Sequence, residues 1–164
     1  MDEKQKVYDQ LDAWGIPFDV VTHEAAYTID MIDEMGVDEA DEIAKNLFLR
    51  NDSGKQHYLV VIGKHKTADM KDIREKIHST RLSFASEERL YRCMHLKKGS
   101  VSPLGLLNDA EGRVAVFFDA DLKEQRRIGV HPNENTATVF LTPQDLFTVI
   151  EKSGHPLHFI EIKT

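Results

Sequence analysis

The sequence predicts a mixed α/β protein with one compact core, in which a β-sheet is covered by helices. Three observations carry that reading. Segments with apolar residues at helical spacing alternate with short runs rich in Val, Ile, Leu and Phe. Turn-forming clusters such as Asn51-Asp52-Ser53-Gly54 separate them. No Gly-x-Gly-x-x-Gly is present, so the alternation does not describe a doubly wound dinucleotide fold.

The elements follow in order. Val7, Leu11 and Trp14 recur at i, i+4 and i+7, which gives an amphipathic first helix ending near Gly15. Residues 18–22 read as a strand. Thr28 is placed to cap a short helix with Met31, Ile32 and Met35 on one side. The apolar runs 47–50 and 58–62 flank the 51–54 turn and make a hairpin. Residues 69–77 form a short charged helix.

Ser86 is an N-cap, and Glu87 and Glu88 suit the positive end of the helix that carries Leu90, Cys93 and Met94. The glycines and proline of 99–105 mark a loop. Residues 114–118 and 136–141 read as buried strands. Thr142 caps a helix with Pro143 at its first position, and Leu146, Val149 and Ile150 form its inner face. A final strand covers 157–162.

Composition bounds the function. The 164 residues are 41% hydrophobic and 30% charged, the balance of a globular protein. A chain of this length buries about 68–70% of its unfolded surface, so it needs neither disulfide nor metal to fold. The lone Cys93 excludes an intramolecular disulfide and a multi-cysteine zinc site. The first residues lack the pattern of a signal peptide, and no apolar run approaches the ~20 residues that span a bilayer. A cytoplasmic protein is expected.

The net charge of −7 is unevenly distributed. Residues 1–45 carry 13 acids against Lys4, Lys6 and Lys45, while residues 46–164 carry a balance of +3. Within 50–98 there are six acids and twelve bases. Such a bipolar surface can offer its basic side to a polyanion, or can be two ordinary solvated faces.

Several chemistries are not indicated. GxxxxGK[ST] and GxSxG motifs are missing, and His57, His65, His155 and His158 form no metal-ligand spacing. No metal and no cofactor is expected. Cys93 sits on an apolar helix stripe and reads as a small core residue. Two polar segments remain: Lys45-Asn46, directly before a strand, and Gly129-Val130-His131-Pro132-Asn133-Glu134-Asn135-Thr136, a loop between strands. By themselves they read more readily as a solvent-facing lysine and a turn than as a functional site.

Taken together, Lys45-Asn46-Leu47-Phe48-Leu49-Arg50, Gly99-Ser100-Val101-Ser102-Pro103 and His131-Pro132-Asn133-Glu134-Asn135-Thr136-Ala137-Thr138-Val139 resemble the signature segments of the YbaK-type prolyl-tRNA editing superfamily. The order and spacing match over nearly the whole chain. The run Leu82-Ser83-Phe84-Ala85-Ser86-Glu87-Glu88-Arg89-Leu90 resembles its free-standing branch, called PrdX or ProXp-ala, which is similar to the insertion domain of bacterial prolyl-tRNA synthetase.

The resemblance implies one editing domain over 1–164, with a mixed curved β-sheet and flanking helices. It implies an aminoacyl-tRNA deacylase that hydrolyses mischarged tRNA(Pro), foremost alanyl-tRNA(Pro). Cysteinyl-tRNA(Pro), and a non-catalytic tRNA- or synthetase-binding module, stay open as alternatives. The partners are the tRNA(Pro) acceptor end and, as an option, prolyl-tRNA synthetase.

In the same comparison Lys45 and His131 match the family's lysine and histidine. Lys45 suits the phosphate or ribose of the terminal nucleotide, and His131 suits orienting water or substrate, or acting as a base. Asn46 suits the substrate amine or carbonyl. The backbone of Gly99, Ser100, Val101, Ser102 and Pro103 suits an oxyanion, and Asn135 and Thr136 brace the histidine loop. Leu47 and Val130, beside these motifs, are candidates for the wall of the amino-acid pocket or plain core residues. The basic 50–98 side, including Lys64, Lys66, Lys97 and Lys98, is expected to face the tRNA.

Overall fold

A computed structural model describes residues 2–22 and 42–162. The helix expected after Thr28, with Met31, Ile32 and Met35, lies outside the described residues.

Local chemistry sets the elements. Helix α1 (Glu3–Ala13) starts where the Asp2 carboxylate accepts the Gln5 N–H at 2.7 Å, and it buries Val7 and Leu11. Strand β1 (Asp19–Thr22) follows. Strands β2 (Lys45–Arg50) and β3 (His57–Ile62) form the expected hairpin, with Lys45 opposite Ile62 and Arg50 opposite His57. Its turn closes through Gly54 N–H to the Asn51 carbonyl, with Gly54 at φ +73°, a conformation that favours glycine.

Helix α2 (Met70–Lys76) is capped by Asp69, and the two-residue strand β4 (Ser83–Phe84) pairs with the end of β2. Helix α3 (Glu87–Met94) begins at Ser86, whose hydroxyl accepts the Arg89 N–H. A 3-10 helix (Pro103–Asn108), strand β5 (Val114–Asp119) and a second 3-10 helix (Ala120–Glu124) come next. Strands β6 (Ile128–Val130) and β7 (Ala137–Leu141) precede helix α4 (Pro143–Lys152), capped by Thr142, and strand β8 (Leu157–Ile160).

These strands divide into two sheets. One runs β4-β2-β3-β5-β8, antiparallel as far as β3 and parallel from β3 through β8. The other is the antiparallel set β1-β7-β6. Every residue of β3 is buried, so it reads as a continuous apolar run, as a strand covered on both faces should. On one face Phe48, Leu59, Val61, Val116 and Phe118 join the larger core with α3, α4 and the smaller sheet. On the other, Leu47, Leu49, Val60 and Ile62 pack with Ile73 and Ile77.

Among the described residues, a β-bridge joins the two sheets. Ile43 lies beside Gly129 in a parallel pairing, and the Ala44 N–H donates to the Gly129 carbonyl at 3.1 Å. A Cβ at Gly129 would stand 2.7 Å from Phe140 Cε1 and 3.0 Å from Ile43 Cγ1. Gly129 and Val130 therefore belong to β6, not to the loop that their polar neighbours suggest.

Two buried histidines act as braces. His155 lies between Asp109 Oδ2 and Ser153 Oγ, both at 2.8 Å, and so ties the start of β8 to the end of the first 3-10 helix. His57 stacks on Phe48, with Arg89 Nη1 3.1 Å from its Nε2. The guanidinium can only donate, so Nε2 accepts and the ring is neutral. Burial, and then the charges of Arg89, Arg92, Arg50 and Arg113, push the His57 pKa below its ordinary value.

The sign of that shift makes a pH prediction. Unfolded, His57 takes a proton as the pH falls through about 6.5, while the folded protein resists it, so acidification favours unfolding. The denaturant midpoint is expected to fall between pH 7.5 and 5.5, and His57→Gln to reduce that dependence. Denaturant titrations across this range check it. Gly129→Ala is expected to cost about 1–3 kcal/mol through overpacking at the junction, read as a lower midpoint with unchanged slope.

Candidate active site

Two loops are stitched together beside the sheet junction. Ser102, fully buried, donates its hydroxyl to the His131 carbonyl at 2.6 Å and accepts the Leu104 N–H at 3.1 Å. Asn133, in the left-handed region at φ +64°, donates Nδ2 to the Leu104 carbonyl at 3.3 Å. Its Oδ1 is buried with no hydrogen-bond partner among the described residues. The loops that hold Gly99, Ser100, Val101, Ser102 and Pro103 and that hold His131, Asn135 and Thr136 thus form one unit.

Helix α1 fastens this unit from outside. Lys4 Nζ donates to Thr136 Oγ1 at 3.1 Å, and the Lys4 N–H donates to Glu134 Oε2 at 3.2 Å. A cavity of about 350 Å³ opens between them, lined among others by Ser100, Asn133, Asn135, His95, Lys97 and Glu3.

The backbone sets what each group can offer. The Ser100 N–H is donated to the Lys97 carbonyl at 3.0 Å, and Pro103 has no N–H. Gly99, at φ +85°, Val101 and Ser102 are the remaining backbone donors of the loop. His131 Nδ1 is 3.0 Å from the Ala137 carbonyl. A carbonyl only accepts, so Nδ1 carries a proton and donates it, which fixes the ring against the strand that follows.

The start of β2 reaches this unit through Ala44 and Gly129. The pleat then sends Lys45 and Asn46 to opposite faces. Asn46 faces the side of Phe48 and the larger core, and its Oδ1 is buried without a hydrogen-bond partner among the described residues. A buried acceptor left unpaired costs about 1–3 kcal/mol, so a bound N–H donor would relieve it. Lys45 faces the side of Leu47, and its ammonium donates to the Lys66 carbonyl at 2.6 Å.

Sequence reasoning missed the group beyond Lys45. Lys66 was expected on the tRNA-facing surface, but its side chain is only 11% exposed. Its ammonium donates to Asp119 Oδ1 at 3.0 Å, Asp121 Oδ2 at 2.6 Å and the Ile162 carbonyl at 2.7 Å. Burial alone would lower the Lys66 pKa, but these two carboxylates outweigh it and raise it. The available signal was Asp119-Ala-Asp121 at the end of a buried apolar run, where charged residues need partners.

Other candidates separate. Leu47 belongs to the smaller core and Val130 to the larger one, so they do not wall one pocket together. Cys93 is buried, and burial, then the Asp109 charge, pushes its thiol pKa up, which disfavours a thiolate nucleophile. Among the described residues, no three His, Cys, Asp or Glu side chains gather where they could hold a metal, and no helix is long and apolar enough to cross a membrane.

Comparison with known proteins bears on this geometry. The model of the aminoacyl-tRNA editing domain family matches residues 23–149. The chain is 44% identical to the prolyl-tRNA editing protein ProX of Acetoanaerobium sticklandii, over 99% of both chains. It is 32% identical to prolyl-tRNA synthetase associated domain-containing protein 1 of Xenopus laevis, over 71% of this chain and 73% of that one. A crystal structure of a proposed trans-editing enzyme for prolyl-tRNA synthetase shares the fold, with TM-score 0.75 and 18% identity, over 100% of this chain and 98% of that one.

Ser102→Ala removes the bond to the His131 carbonyl that joins the loops and the local bond from the Leu104 N–H, while the Asn133–Leu104 bond remains. It is expected to cost about 1–3 kcal/mol, because the Leu104 N–H is left buried and unpaired. Chemical denaturation measures the loss.

Proposed function

This chain belongs to the aminoacyl-tRNA editing domain family, and on that premise we propose that it clears mischarged tRNA(Pro), alanyl-tRNA(Pro) foremost, by directing water onto the aminoacyl ester. By its family the chain is an aminoacyl-tRNA deacylase. What carries the reading is convergence: the start of β2, the 99–103 loop and the His131 loop meet at one sheet junction, though they lie far apart in sequence.

The chemistry needs a held ester, an attacking water and donors for the developing oxyanion. The backbone N–H groups of Gly99, Val101 and Ser102 are the donors in this reading. The Asn46 amide oxygen takes the α-ammonium of the amino acid, which relieves its unpaired state. His131, fixed by its Nδ1–H on the Ala137 carbonyl, orients the water or the substrate in this reading. Lys45 offers a compact cation to the terminal nucleotide, since its ammonium is bound to a neutral carbonyl and not to a carboxylate. Thr136, together with Glu134, holds the histidine loop against α1, and Asn135 lines the cavity beside it.

Editing is needed because a site built for proline cannot exclude the smaller alanine. One methylene is worth only about 1–3 kcal/mol, and a second pocket that rejects proline by size supplies the missing discrimination.

A panel of tRNA(Pro) charged with alanine, cysteine or proline tests this. Alanine is expected to be lost fastest and proline spared. Faster loss of cysteine would make cysteinyl-tRNA(Pro) the substrate, and binding with unchanged ester lifetimes would make the protein a binding module. Lys45→Ala is expected to cut deacylation by about 100-fold or more while circular dichroism stays native. Wild-type turnover in that variant would remove Lys45 from the mechanism.

A further inference from the structure

The Lys66 cluster lies beside the proposed site and has no role in it so far. Lys45 pairs with Ile62 across β2 and β3. Val61 pairs with Phe118 across β3 and β5, and Asp119 pairs with Ile160 across β5 and β8. The next residues of β3 and β5 are Ile62 and Asp119, so Lys45, Ile62, Asp119 and Ile160 form one row across the sheet. All four stand on the face of the smaller core.

Lys45 and Asp119 are therefore about 10 Å apart along that row, with the end of β3 between them. Asp119 is completely buried. A Cβ added at Gly63, the residue after Ile62, would be 4.0 Å from Asp119 Oδ2, so the carboxylate stands over the end of β3.

Lys66 fills the space between. Its carbonyl accepts the Lys45 ammonium, and its own ammonium bonds Asp119 Oδ1, Asp121 and the Ile162 carbonyl. The Lys66 ammonium is also 2.8 Å from Asp119 Oδ2, so this one cation stands against both carboxylate oxygens. A buried carboxylate that lost Lys66 would need another cation, and the long side chain of Lys45 projects from the same face.

We propose that Lys66 is a positioning residue for Lys45: its carbonyl holds the Lys45 ammonium, and its own ammonium neutralises Asp119, which would otherwise capture Lys45 in an ion pair. The inference rests on the reading of Lys45 as a substrate-binding cation. A lysine locked to a carboxylate cannot serve a phosphate or ribose, whereas a lysine on a carbonyl keeps its charge for them.

The test compares Lys66→Met, Lys66→Met/Asp119→Asn and Lys45→Ala with the wild type, each assayed where circular dichroism shows it folded. Lys66→Met keeps the carbonyl and removes the neutralising charge. Its kcat/KM on alanyl-tRNA(Pro) is expected to fall about tenfold or more, as for a displaced reacting group. The double variant, with no free carboxylate, is expected to recover most of that loss. Acetylation of Lys45 by the N-hydroxysuccinimide ester of acetic acid, read by mass spectrometry, is expected to slow in Lys66→Met and to recover in the double variant.

A purely structural role predicts the reverse, since removing two buried partners would harm the protein at least as much as removing one. Wild-type kcat/KM in Lys66→Met, or a double variant no better than the single one, overturns the proposal. Should Lys66→Met not fold, the double variant decides: a folded double variant without activity, or with slowed Lys45 acetylation, overturns it, and near-native values in both support it. An active Lys45→Ala variant would instead defeat the underlying reading of Lys45.

Discussion

The Ala44 N–H to Gly129 carbonyl bond joins two sheets that otherwise have separate strand orders. Its geometry demands a residue without a side chain, because Phe140 and Ile43 occupy the space a Cβ would need. Once that contact forms, the start of β2 must run beside the end of β6. Lys45 and Asn46 lie just past one side of it, and His131 just past the other. Placement of the site thus depends on how closely two backbones approach, and only secondarily on the polar side chains themselves.

Around that contact the interior is held by a few satisfied polar groups. Ser102 stitches one loop to another, and Asp109 accepts the Arg113 and Val114 N–H groups as well as the His155 ring. Each lies where the apolar core gives way to loop, and each removes a backbone group that would otherwise be buried unpaired. The exceptions are informative. Among the described residues, two of them, Asn46 Oδ1 and Asn133 Oδ1, lie without hydrogen-bond partners in segments that border the proposed site, where a ligand could supply the donors.

Charge is arranged by the same logic. The acidic first 45 residues and the more basic remainder divide the chain in sequence. The fold redistributes that division. Lys66 is withdrawn into a cluster with Asp119 and Asp121, Arg89 is spent on His57 and the Gly54 carbonyl, and Arg127 bridges Asp19 and Glu42. With Lys66 and Arg89 engaged, counting basic residues between 50 and 98 overstates what is left to meet a polyanion, and Arg127 outside that range is engaged likewise.

What the sequence by itself determined is local. Ser86 with Glu87 and Glu88, and Thr142 before Pro143, define helix starts through contacts within one turn, and both helices begin where those residues lie. The 51–54 turn likewise closes its hairpin through neighbouring groups. The order of the three signature segments identified the family for the same reason, since it can be read without knowing which strands pair. Tertiary structure alone decided the rest. Strand β6 exists because Gly129 and Val130 find partners in β7, although polar residues follow them in sequence. Asp119 and Lys66, 53 positions apart, become a pair because β3 and β5 are parallel neighbours and their carboxyl ends coincide. Periodicity reports which face a residue prefers, but long-range pairing sets what stands opposite it, and a buried charge takes its meaning from that partner.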